Sequence, residues 1–209
     1  AAETNYKIRL LDNKKYECIV KAIEKLILET NKAIEETDNT IFSKVIVDPY
    51  QGGAGTSLNM NINEIIANTT LELSGKNFGD YDLIHPIDDV NLSQSTNDTY
   101  VTSLKIASIV LLRELTASFA ELQRELQKKE IEFSGIIKLA RTQMQDAVPI
   151  TLGQEFGAYA QAIARDRWRL YNGEERLRSV NLGGTAVGNS INANLNFVLN
   201  INTELKRIT

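Results

Sequence analysis

The chain has 209 residues, of which 43% are hydrophobic and 24% are charged, and its formal net charge is −4. This composition is ordinary for a soluble globular protein and argues against disorder, and the acidic balance argues against nucleic acid or an anionic membrane as the main partner. The single cysteine, Cys18, excludes an intrachain disulfide, and the single histidine, His85, excludes a multi-histidine zinc site, so no metal site is expected.

The N-terminal segment, residues 1–17, is charged from its start and lacks the apolar stretch of a secretory signal. The longest apolar runs contain about four residues, far below the roughly 18 that are needed to span a bilayer. We therefore expect a protein of the reducing cytoplasm with no membrane partner.

The distribution of helix breakers predicts long helices joined by structured loops. Residues 13–37 carry an apolar stripe at helical spacing, residues 45–55 should be extended and then turn, and a second helix should begin at residues 57–59. Residues 74–92 have the composition of a loop. Neither proline nor glycine occurs between Pro86 and Gly135, and the strongest helical periodicity of the chain covers residues 98–132.

A further long helix is predicted after Pro149, where Thr151 and Gln154 form a T-x-x-Q capping box. Gly153 and Gly157 lie four residues apart and would let another backbone approach closely. Two such long helices cannot bury wide apolar faces alone, so partner helices are required, either from another chain or from a missing C-terminal part. The fold class is therefore predicted as all-α, with a small N-terminal helical domain at residues 1–96 and the first part of a long-helix bundle at residues 97–209.

Three segments rich in glycine or proline and in small polar residues precede or open predicted helices: residues 52–64, 85–98 and 140–156. Backbone N–H groups at helix N-termini attract anions, and the absence of a P-loop pattern favours a carboxylate over a phosphate ligand. Each hydroxyl or amide residue taken alone is more simply a helix cap. His85 is more simply a loop histidine than a catalytic base, and Arg141 should pair with Asp146.

At these segments the sequence resembles the fumarase/aspartase superfamily, and within it the aspartases. The resemblance rests on GGAGTSLNMNINEIIAN (52–68), HPIDDVNLSQSTNDTY (85–100), RTQMQDAVPITLGQEFGAYA (141–160) and VNLGGTAVGNSIN (180–192). Three positions favour the aspartases over the fumarases within this resemblance. Fumarases typically carry glutamine, serine and histidine where this chain has Ser57, Thr96 and Gln143. Ile87 departs from a usual asparagine, and Gly188-Asn189-Ser190 departs from a usual G-T-G.

The resemblance implies a reversible, cofactor-free elimination of ammonia from L-aspartate that gives fumarate, in a homotetramer that assembles each site from several subunits. It implies that Thr56, Ser95 and Thr96 hold the β-carboxylate, and that Asn97, Thr142 and Gln143 hold the amino group and the α-carboxylate. The family's loop with the base serine, G-S-S-x-x-P-x-K-x-N, does not occur in this sequence. We therefore expect this chain to be the N-terminal part of a longer enzyme. The chain itself should contain no catalytic base and should be inactive alone.

Two alternatives stay open. The first is a fumarate hydratase or another lyase of the same superfamily. The second is a non-catalytic helical assembly module that kept the helices and lost the chemistry, as lens crystallins of this superfamily did. The intact polar segments argue against the second alternative, and the missing serine loop argues for it.

Overall fold

The computed structural model describes residues 1–39, 41–48, 50 and 53–209. Within these ranges most residues lie in helices, as predicted. The α-helices are α1 (Ala2–Lys7), α2 (Asn13–Glu36), α3 (Thr56–Leu73), α4 (Thr96–Glu132), α5 (Leu152–Leu177) and α6 (Leu195–Ile208). A 3₁₀ helix at Ile41–Lys44 and one π-helical turn at Pro86–Val90 lie in the connections.

The predicted helices are confirmed with small shifts of their ends. The second predicted helix begins at Thr56, slightly before the predicted start, and the longest helix begins at Thr96 and has 37 residues. Part of the turn expected in residues 45–55 falls on Pro49, Gln51 and Gly52, which lie outside the described residues.

The loop predicted around residues 140–156 contains a β-hairpin that the sequence analysis missed. Strand β1 (Ile137–Thr142) pairs antiparallel with β2 (Gln145–Thr151), and the register shifts between Leu139 and Arg141. The all-α prediction is confirmed for the fold as a whole, and this small hairpin is a local exception to it. Arg141 and Asp146 face each other across the hairpin, and Arg141 Nε lies 3.4 Å from Asp146 Oδ1, as predicted.

The chain divides into two compact units, which are described separately. Unit 1 contains residues 1–104 and 180–209, and unit 2 contains residues 105–179. The predicted domain boundary between residues 96 and 97 stays a prediction.

The core of unit 1 forms where α2, α3 and the segment before the π-helical turn meet. Leu11, Ile19, Ala67 and Ile84 are buried there, and α1 packs on both α2 and α6. Helix α6 adds two almost fully buried side chains to unit 1, Phe197 and Ile201. Through this core, α3 packs against the segment that leads into α4.

Unit 2 consists of the later part of α4, the hairpin and α5. The predicted capping box is present: the Gln154 N–H donates to Thr151 Oγ1 over 3.1 Å, and the Thr151 N–H donates to Gln154 Oε1 over 2.9 Å. The rings of Phe133 and Phe156 lie 5.3 Å apart between centroids, which joins the end of α4 to α5.

The apolar stripe of α4 stays largely exposed in the described part of the chain. Leu111 is 65% exposed and Leu115 is 44% exposed. Leu104 and Leu122, in the same stripe, are also exposed. Exposure of this extent agrees with the requirement for partner helices inferred from the sequence. Among the helices that the structure describes, none combines the length and the apolar character needed to cross a membrane.

Candidate functional site

The first turn of α4 carries three of the predicted site residues, and a reciprocal cap fixes their backbone. The Asn97 N–H donates to Ser95 Oγ over 3.3 Å, and the Ser95 N–H donates to Asp98 Oδ1 over 3.0 Å. These two bonds satisfy donors that a helix start otherwise leaves unpaired. Ser95 and Thr96 are half-buried and Asn97 is exposed.

Asn97 is bound in place by the segment that follows α5. Its Nδ2 donates to the carbonyl oxygen of Ala186 over 2.7 Å, and Asn181 Nδ2 donates to the carbonyl oxygen of Asn97 over 2.7 Å. The amide oxygen of Asn97 accepts no hydrogen bond from any residue that the structure describes, so it remains available as an acceptor.

The start of α3 lies against the first turn of α4. Gly55 has φ +84°, and a methyl group built on it would lie 2.6 Å from Cγ of Tyr100. Tyr100 follows Thr96 by one helical turn, and Thr56 directly follows Gly55. The structure therefore brings Thr56 into the same part of unit 1 as Ser95, Thr96 and Asn97.

The hydroxyl groups of Thr56 and Thr96 differ from those of threonines inside the helices. Four threonines deeper in helices donate to the carbonyl oxygen four residues earlier: Thr30, Thr70, Thr102 and Thr116. Thr56 and Thr96 begin their helices, and neither hydroxyl has a hydrogen-bond partner within the described ranges. Each is placed at a helix N-terminus, where the helix dipole favours an anion.

A group of asparagines that the sequence analysis did not single out holds the segment that leads into α4. Asn59 and Asn63 lie one turn apart on α3, are buried, and donate to Asn91 Oδ1 over 3.3 and 3.1 Å. Asn91 in turn donates to the carbonyl oxygen of Gln94, and the buried Asn5 donates to that of Leu92. The i, i+4 spacing of Asn59 and Asn63 on one helix was the available sequence signal.

Thr142 and Gln143 lie in unit 2, at the turn of the hairpin, whereas the other predicted site residues belong to unit 1. Gln143 has φ +51° and Met144 has φ +59°, which is the backbone of a type I′ turn built without glycine. Such a conformation costs of order 1–3 kcal/mol for each non-glycine residue. Both predicted residues are exposed.

His85 acts as a helix cap. Its Nδ1 accepts the N–H groups of Ile87 and Asp88 over 3.2 and 3.1 Å, and its ring contacts Tyr81 edge-on with centroids 5.8 Å apart. Nδ1 of His85 therefore caps the start of the π-helical turn. This placement supports the loop interpretation of His85. In the part of the chain that the structure covers, no cluster of histidine, cysteine, aspartate or glutamate could hold a metal ion.

Comparison with known proteins gives the family. A family profile described as lyase matches residues 4–209. The chain belongs to this lyase family. Among its curated lyase relatives, the chain is 46% identical over its full length to an aspartate ammonia-lyase of Bacillus sp. and 42% identical to one of Helicobacter pylori strain 26695. The chain spans 42% of the length of each of these two relatives.

Solved lyase structures share the fold. A fumarate lyase:delta crystallin from Brucella melitensis, bound to cobalt, matches 99% of this chain with a TM-score of 0.88 and 45% identity. A recombinant class II fumarase from Schistosoma mansoni matches 99% of the chain with a TM-score of 0.78 and 30% identity. In both comparisons the chain covers 43% of the other chain. The predicted membership of the fumarase/aspartase superfamily is confirmed.

Proposed function

We propose that this chain is the N-terminal part of an aspartate ammonia-lyase, which eliminates ammonia from L-aspartate reversibly and without a cofactor to give fumarate. The observation that carries the proposal is the pair of uncommitted threonine hydroxyls, Thr56 and Thr96, at two adjacent helix N-termini. The identity of 46% to the Bacillus sp. relative supports it. The complete protein is proposed to be a cytoplasmic homotetramer of aspartate metabolism.

The reaction needs donors that strengthen as charge develops. Removal of a proton from the β-carbon of aspartate leaves a carboxylate that takes up a second negative charge, and this dianion must be stabilised for the amine to leave. Neutral hydroxyl groups at helix N-termini suit this task, because their hydrogen bonds to the carboxylate strengthen in the transition state. We assign this role to Thr56, Ser95 and Thr96.

The remaining predicted residues are assigned to the other end of the substrate. The amide oxygen of Asn97 can accept a hydrogen bond from the substrate ammonium, since its amide nitrogen is already bound to Ala186. Thr142 and Gln143 are proposed to bind the amino group and the α-carboxylate from the hairpin turn. The base that removes the proton is proposed to be a serine outside this sequence, because the serine loop of the family does not occur in it.

Assembly of the complete protein is proposed to cover the exposed stripe of α4. Leucine side chains at helical spacing along a 37-residue helix form a surface that other long helices can pack against. A tetramer would thereby both bury this surface and combine polar segments from different subunits. Light scattering of the 209-residue chain should give a mass of several chains, and a stable monomer that binds no apolar dye would contradict this.

A fumarate hydratase is the second candidate, because the class II fumarase from Schistosoma mansoni shares the fold at 30% identity. Absorbance in the fumarate band discriminates the two activities when the complete protein receives either L-aspartate or L-malate. We expect fumarate from L-aspartate and none from L-malate at equal concentration. Fumarate formed only from L-malate would replace the proposed activity by hydration, and formation from neither substrate would favour the non-catalytic assembly module.

A further inference from the structure

Asp98 is a fully buried carboxylate in the first turn of α4. Its exposed fraction is 0%, and its two oxygens accept three hydrogen bonds. Oδ1 accepts from the Ser95 N–H and the Thr99 hydroxyl, both over 3.0 Å, and Oδ2 accepts from the Thr185 N–H over 2.8 Å. Burial of a charge is costly unless hydrogen bonds compensate it, and here three donors and the helix N-terminus do so.

The bond to Thr185 joins parts of the chain that are 87 residues apart. Thr185 is buried and has φ +59°, so its N–H is held in an unusual backbone conformation and aimed at Asp98. Two further bonds run beside it, from Asn97 to Ala186 and from Asn181 to Asn97. Residues 181–186 therefore hold the first turn of α4 at three points, and we call this set of three bonds the α4 clamp.

A carboxylate is required at the centre of the clamp. Every group that faces Asp98 in these bonds is a donor, so both oxygens of residue 98 must accept. An asparagine in its place would present an N–H group either to the Thr185 N–H or to the Ser95 N–H. One of the two bonds would be lost, and the amide N–H group would face another donor at hydrogen-bond distance.

We propose that Asp98 is a positioning residue for the substrate site, which fixes Asn97 through the α4 clamp and Ser95 through its bond to the Ser95 N–H. This inference rests on the proposed function, since it acts on residues assigned to substrate binding. Asp98 is fully buried and its oxygens already accept three hydrogen bonds from the protein, so it acts through these neighbours and not by direct contact with substrate. A displacement of about 1 Å at a catalytic or binding group is enough to lower turnover by about 100-fold.

A double-mutant cycle in the complete protein tests the proposal. The variants are Asp98→Asn, Ser95→Ala and the two combined, with Asp88→Asn as the matched control because the Asp88 side chain is 80% exposed. We expect Asp98→Asn to lower kcat by about 100-fold with a smaller change in KM, and the combined variant to be little worse than the more severe single variant. The control should retain the original kcat.

Each other outcome decides against the proposal or one of its premises. If the two losses of kcat multiply in the combined variant, Asp98 does not act through Ser95 and the proposal is overturned. If the unsubstituted protein shows no turnover, the proposed function is overturned, and the role of Asp98 with it. If Asp98→Asn does not fold, Asn181→Ala is combined with Asn97→Ala instead, because Asn181 binds the Asn97 carbonyl oxygen within the α4 clamp and its removal leaves the buried Asp98 in place. A kcat that Asn181→Ala leaves unchanged would then refute the clamp.

Discussion

Gly55 lies against the ring of Tyr100, and this contact places the start of α3 beside the first turn of α4. A methyl group at residue 55 would meet Cγ of the ring at 2.6 Å, while the φ of +84° already disfavours any side chain there. Gly79 has φ +82° and open space around it. Alanine substitutions at the two positions therefore distinguish the loss of stability caused by the backbone conformation from the loss caused by the contact with Tyr100.

The first prediction compares Gly55→Ala with Gly79→Ala. Both substitutions should lose roughly 1–2 kcal/mol of unfolding free energy from the left-handed conformation, and Gly55→Ala should lose a further 1–3 kcal/mol from the overlap with Tyr100. Urea unfolding followed by circular dichroism measures both. Equal losses in the two variants would mean that the Tyr100 ring moves away at little cost.

A second prediction concerns the close approach of α5 to the end of α4. A methyl group on Gly153 would meet the carbonyl oxygen of Glu130 and lie 2.9 Å from Cα of Ser134, whereas Gly173 has open space. Gly153→Ala should therefore destabilise the chain, and Gly173→Ala should stabilise it by about 0.5–1 kcal/mol through helix propensity. Thermal melting of both variants checks this, and a gain in both would show that the helices can separate.

The third prediction is a pH dependence of stability at alkaline pH. The Tyr16 hydroxyl donates to the Glu3 carboxylate, and this bond raises the pKa of Tyr16 from 10.0 to about 12. Between these values the unfolded chain loses the phenol proton and the folded chain keeps it, so the contribution of Tyr16 to stability is complete below pH 10 and is lost as the pH rises through about 12.

Tyr16→Phe should therefore flatten the fall in unfolding free energy between about pH 10 and 12. The matched control is Tyr50→Phe, since the Tyr50 side chain is 96% exposed. Urea unfolding at several pH values gives the slope for each protein. An identical slope in Tyr16→Phe and in the unsubstituted chain would show that the Glu3 bond does not persist in solution.

The helices were predictable because their signals are local. The capping box of Thr151 and Gln154 and the unbroken periodicity of α4 each involve residues within a few turns, and both were confirmed. The hairpin gave no such signal. Its turn uses Gln143 and Met144 where a type I′ turn usually carries asparagine and glycine, and Pro149 within β2 argues against a strand.

The residues that hold the candidate site were missed for a different reason. Asp98 reaches Thr185 and Asn5 reaches Leu92 across 87 residues of sequence each. Pairing over such separations is decided by the tertiary fold and leaves no pattern of spacing in the chain. The polar residues at the helix starts could be identified, and the network that positions them could not.

The fourth prediction tests the role assigned to Thr96. In the complete protein, Thr96→Ala should lower kcat for L-aspartate by about 100-fold or more with little change in KM, because the lost hydrogen bond strengthens only as charge develops in the transition state. Steady-state kinetics of fumarate formation measures both constants. Thr102→Ser is a suitable control, since its hydroxyl can still donate to the Asp98 carbonyl within the helix. An unchanged kcat with a raised KM would assign Thr96 to ground-state binding.

The most direct test is the stoichiometry of products from L-aspartate, measured for the complete protein and for the 209-residue chain alone. We predict equimolar fumarate and ammonia from the complete protein and neither product from the chain alone, because loss of a positioned base typically costs 10²–10⁴-fold. Absence of fumarate and ammonia with the complete protein would contradict the proposed lyase activity. Fumarate from the chain alone, in a preparation free of host enzyme, would contradict the assignment of the base to a segment outside this sequence.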